Sequence, residues 1–104
     1  MEKILCAAIY LNNGKTYKDA PENISEGIVI SGWRHGNCFS LLFDLFGKKF
    51  VEDLSHDKEK LVCGFLTSQN RFVNRKEGYY IAKEQNQLRI IHDDIDILTS
   101  EDLY

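Results

Sequence analysis

The sequence predicts an α+β fold: a small, mostly antiparallel sheet with two principal helices and a short C-terminal helical turn. Three observations predict it. Short apolar runs rich in β-prone residues recur between turn signals. Two other stretches space their apolar residues as one face of a helix does. The length, 104 residues, holds one domain (1–104) with one core, small enough that oligomerisation would help it.

Residues 4–11, Ile-Leu-Cys-Ala-Ala-Ile-Tyr-Leu, read as the first strand, and Asn12-Asn13-Gly14 as a hairpin turn returning into a short strand at 15–18. The loop at 19–26 carries the only proline, Pro21, and 27–33 is a further strand. Phe39, Leu42, Phe43 and Phe46 share one helix face over 38–46, with Asn37 as N-cap and Gly47 as C-cap. Phe50 and Val51 suggest the start of a short strand, and 56–60 a charged loop. Residues 61–66 form a strong strand, 68–70 a turn, and 71–73 a short strand. Asn74 with Glu77 three residues on is a capping box for a second helix. That helix ends near Asn86, a residue that tolerates a left-handed stop. A last strand is expected at 88–91, and Thr99 or Ser100 as the cap of a turn over 101–104.

Apolar residues at 43% and charged residues at 28% are the balance of a soluble globular chain, and no apolar run could span a bilayer. With no signal-peptide pattern at the N-terminus, the cytosol is the expected compartment. Cys6, Cys38 and Cys63 lie in apolar contexts as reduced thiols, and His35, His56 and His92 lack metal-ligand spacing. No metal or cofactor is expected. A net charge of −3 argues against DNA or RNA polymers as partners. The charge is uneven, though. No lysine or arginine follows Arg89, whereas Asp93, Asp94, Asp96, Glu101 and Asp102 do. Basic residues gather at Arg71, Arg75, Lys76 and Lys83, and more weakly at Arg34, Lys48 and Lys49. One small anion in one basic pocket fits this better than a long polyanion.

Arg71 and Arg75 flank the start of the second helix, where backbone N–H groups and the helix dipole attract anions. Two guanidinium forks there make a phosphate pocket; the plain alternative is two solvated arginines, or one paired with Glu77. Thr67, Ser68 and Asn70 could bond ribose or phosphate, or only satisfy their own turn. Arg34 and His35, between Gly32 and Gly36, could form a second ligand loop, with Arg34 on phosphate and His35 stacking. The phenylalanine stripe reads as core, with one member available to stack on a base. No nucleophile elbow, zinc-protease helix or phosphate-binding glycine loop is present, so no catalytic residue is assigned and the chain is not read as an enzyme.

Gly64-Phe65-Leu66-Thr67-Ser68, Arg71-Phe72-Val73-Asn74-Arg75-Lys76-Glu77, Ile81-Ala82 and Ser100-Glu101-Asp102-Leu103-Tyr104 together resemble the first-described Thoeris anti-defence family of phage proteins. Gly32-Trp33-Arg34-His35 resembles that family's arginine–histidine pair before its first helix. The resemblance implies an α+β protein of the host cytoplasm that assembles into dimers or multiples of dimers. It implies a sponge, binding and sequestering cyclic ADP-ribose-type immune signals without cleavage, with some members also taking cyclic oligonucleotides. Arg71 and Arg75 match the paired arginines of the motif, and Phe65, Thr67 and Asn70 match further motif positions. Gly78 stands where alanine is usual and Asn86 where glycine is. The rival reading is a protein-interaction module that inhibits a host defence protein directly through the acidic tail.

Overall fold

The computed structural model describes residues 1–89, 97–99 and 102–103. Its elements run β1 (Ile4–Leu11), β2 (Ile28–Gly32), α1 (His35–Phe46), α2 (Lys48–Ser55), β3 (Leu61–Thr67), β4 (Phe72–Asn74) and α3 (Arg75–Glu84). The four strands form one antiparallel sheet in the order β2-β1-β3-β4. The fold is α+β.

Period-two alternation along β1 sends Ala7, Ile9 and Leu11 to the face covered by the helices. Their neighbours across the ladders, Ile30 opposite Ile9 and Phe65 opposite Ala7, share that face. Cys38 and Leu42 of α1, Val51 of α2, and Tyr79 and Ala82 of α3 close over them with Leu98. The opposite face is covered by the loop between β1 and β2. There the Asn23 side-chain amide accepts from Phe72 N–H (2.8 Å) and donates to Phe72 C=O (2.6 Å), sealing the outer edge of β4. Gln87 does the same for the start of β1, accepting from Ile4 N–H (2.8 Å) and donating to Ile4 C=O (2.7 Å).

Around α3 the Asn74 cap and the Asn86 stop hold, whereas the Glu77 carboxylate meets Arg71 instead of closing the capping box. The Asn74 carboxamide oxygen accepts from Glu77 N–H at 2.8 Å. At the far end Asn86 has φ 57°, Asn86 N–H reaches Lys83 C=O and Gln87 N–H reaches Ala82 C=O, the paired bonds of a Schellman stop. Gly47, with φ 87°, ends α1 as expected.

Other expectations are corrected. Residues 15–18 form no strand; Lys15 C=O instead takes Gly27 N–H within the covering loop. Phe50 and Val51 belong to α2, a third helix, because Val51 and Leu54 are spaced to reach the core from one helix face. Asn37 is not the N-cap of α1. Arg34 is, and Asn37 reaches back from the third helical position to accept Arg34 N–H at 3.0 Å. The expected strand at 88–91 lies partly outside the described residues, as do Ser100, Glu101 and Tyr104 of the last turn. Asp102 is buried rather than solvated, and its carboxylate takes Thr99 N–H at 3.0 Å.

Gly64 is the tightest point of the sheet. A Cβ there would overlap the Val73 carbonyl oxygen and approach the Phe72 ring at 2.8 Å. Gly64→Ala should therefore lower stability by about 2–3 kcal/mol, measured by urea unfolding, since neither obstacle is a mobile side-chain end.

Candidate anion-binding site

The register places two helix starts side by side. Gly32, at the end of β2, pairs with Ala7; Asn74, at the end of β4, pairs with Gly64, which pairs with Ala8. The two edge strands thus stop within one residue of the same level on β1, and each is followed by a helix on the core face. The first turn of α1 and the start of α3 consequently line one cleft of about 520 Å³, with Arg34, His35, Gly36, Asn37 and Ser40 on one wall and Arg75 and Thr99 on the other. That volume lies within the usual range for small-molecule sites.

The described lining residues include no carboxylate. Arg34 is the N-cap of α1 and Arg75 the first residue of α3. A cation at a helix N-terminus opposes the dipole by roughly 0.3–1 kcal/mol, and here this happens twice around one space. Arg75 Nε is also buried with no hydrogen-bond partner among the described residues. A buried, unbonded charged donor costs about 1–3 kcal/mol or more. An anion in the cleft would meet the Arg75 donor.

His35 is held as part of the wall. Its Nε2 lies 2.8 Å from Gly64 C=O, and a carbonyl only accepts, so Nε2 carries the proton. The ring meets Phe65 edge-on, centroids 5.2 Å apart at 81°. The Leu98 N–H bond to Arg75 C=O (2.9 Å) brings Thr99 to the opposite wall.

The remaining sequence-predicted residues serve the fold. Arg71 does not line this cleft. Its Nε and Nη2 donate to the two Glu2 carboxylate oxygens at 2.7 and 2.8 Å, and Nη2 also meets Glu77 at 3.3 Å. The expected convergence of Arg71 with Arg75 is replaced by a pairing of Arg75 with Arg34 across the cleft. Phe65 is 0% exposed, so it offers no ring to a ligand. Thr67, 1% exposed, donates to Glu2 and accepts from Gln69 and Arg71 N–H. Ser68 Oγ accepts Lys3 N–H at 2.8 Å. Asn70 supplies the left-handed position of the turn, φ 57°. For these four the turn-internal or core role is the one observed.

Sequence reasoning gave Ser40 and Gly36 no role and named Thr99 only as a cap of the last turn. Gly36, Asn37 and Ser40 fall at helical spacing on one side of the first turn, a signal available beforehand. Nothing in the sequence put Thr99 at the cleft, since only the return of the chain to Arg75 places it there. Burial raises all three thiols, Cys38 to about 11 with smaller contributions from Cys6 and Cys63, so they behave as packing groups. Among the described residues no three His, Cys, Asp or Glu side chains gather as a metal site, and no helix is long and apolar enough to cross a membrane.

Arg71, then Thr67, hold the Glu2 carboxyl below its ordinary value of 4.5 by hydrogen bonding. A lowered carboxyl adds stability that is complete above the unfolded value and disappears as pH falls through the folded one. Between about pH 7 and about pH 3 the wild type should lose roughly 1 kcal/mol more than Glu2→Gln, after allowing for screening of the part-exposed guanidinium. Urea titrations at the two pH values measure the difference.

No curated protein and no solved structure matches this chain. The family described as Phage T4 y16D protein matches residues 3–104. The chain is therefore a member of the phage T4 y16D protein family.

Proposed function

We propose that this protein holds a small phosphorylated nucleotide in the cleft between α1 and α3 and does not cleave it, acting as a phage sponge for cyclic ADP-ribose-type immune signals. The observation that carries the reading is Arg75: a guanidinium with a buried, unbonded Nε, standing where two helix N-termini meet and facing a wall that includes Arg34. The side chains around it, Arg34, Asn37, Ser40 and Thr99, supply donors and positive charge, which bind and neutralise phosphate oxygens. The resemblance of 64–77 and 32–35 to the Thoeris anti-defence family supports the ligand class. Action in the host cytoplasm and assembly into dimers belong to the same reading, with exposed Leu41, Leu45 and Phe50 as apolar surface for a second copy to cover.

The test is recovery. Protein is incubated with a cyclic ADP-ribose-type nucleotide, separated from free ligand by filtration, then heat-denatured, and the released nucleotide is analysed. Intact nucleotide appearing only after denaturation is expected. Altered nucleotide means an enzyme, and nucleotide that is never retained means direct inhibition of a host protein. Arg75→Ala should weaken binding about 10- to 150-fold, the equivalent of a lost hydrogen bond to a charged group at ~1.5–3 kcal/mol. Arg71→Ala should leave affinity within about twofold and instead lower stability by roughly 1 kcal/mol. Calorimetric titration and urea unfolding of both variants decide whether Arg71 or Arg75 serves the ligand.

A further inference from the structure

We infer that Gly36 determines what the cleft admits: its bare backbone is the seat of a phosphoryl group, and a side chain at this position shuts that group out. The inference rests on the anion-binding reading of the cleft and goes further, to the residue that selects the ligand.

The chain has seven glycines, and six have a reason within the fold. Gly14, Gly27 and Gly47 have positive φ, which other residues rarely adopt. Gly32, Gly64 and Gly78 are crowded: an added Cβ would come within 3.3 Å or less of a neighbouring atom. Gly36 has neither constraint. Its backbone is helical, and among the described residues a Cβ would meet nothing within 4 Å. Glycine also weakens a helix relative to alanine, so no local gain accounts for it.

What lies in front of Gly36 is the cleft. As the second residue of α1 it has no intrahelical acceptor for its N–H. Gly36 itself lines this space, and Arg75 stands on its far wall. A glycine here lets a tetrahedral phosphoryl oxygen approach the backbone directly, the same steric reason that phosphate-binding loops use glycine. The ligand class that exploits this is a phosphate monoester or a pyrophosphate, with oxygens to spare for the amides and for Arg75 together.

The experiment compares wild type with Gly36→Ala, Gly36→Val and Gly36→Asp, titrated calorimetrically with inorganic pyrophosphate and with ADP-ribose. Melting temperature is recorded in parallel, and Trp33, the only tryptophan and 64% exposed beside Arg34, gives a second optical readout. Gly36→Ala should keep or raise the melting temperature and weaken both ligands about tenfold. Gly36→Val should weaken them further. Gly36→Asp places its own carboxylate at the helix start, so it should raise the melting temperature and abolish binding. Folded alanine and aspartate variants that bind like wild type overturn the inference, and if Arg75→Ala still loses binding, the anion site itself stands. Wild type that takes up neither probe overturns both.

Discussion

The structure depends on what closes around Gly64. On the outer face the absence of a side chain lets Phe72 and the Val73 carbonyl come in, so β4 lies tightly on β3. On the helix side its carbonyl receives His35 Nε2 and so anchors the first residue of α1. One residue therefore ties the beginning of α1 to the strand that leads, through β4, into α3. The two helix starts are neighbours because both are referred to the same point on β3. Arg34 and Arg75 reach one cleft for that reason, although they lie 41 positions apart in the sequence.

Two kinds of polar group behave differently around this frame. Arg71 is satisfied: Glu2 takes it from two sides, Thr67 braces Glu2, and the N-terminal strand is fastened to the turn after β3. Among the described residues Arg75 Nε is left without an acceptor in a buried position. The contrast decides between two arginines that look alike on paper. A guanidinium with a bidentate carboxylate gains little from a ligand, because the ion pair must be given up first. A guanidinium with an unmet donor gains at once.

Much of the fold was legible because it is local. β1, β3, the Asn74 cap and the Asn86 stop are each announced within a few residues by alternation, capping chemistry or tolerance of a left-handed backbone. α2 was not legible, since Phe50 and Val51 are β-prone and only the tertiary position of Val51 and Leu54 settles the matter. The return at 15–18 failed for a related reason: at Asn12-Asn13-Gly14 the two carboxamides bond Gly14 and Lys15 N–H in a bend rather than a hairpin turn, and the chain beyond is occupied in covering the outer face. The site was half legible. Charge and helix-start arguments could find Arg34, His35 and Arg75 individually. They could not tell which arginine had an internal partner, because Glu2 lies 69 positions from Arg71 and nothing in the spacing links them.

The bond from Leu98 N–H to Arg75 C=O also closes the cleft with a part of the chain made after both helices. A ribosome delivers the α1 wall first, α3 later, and Thr99 only after a further stretch of chain. Until that stretch arrives, the start of α3 lacks the strap that holds Thr99 against it. Without that stretch the cleft between α1 and α3 stands open on the side where Thr99 now lies.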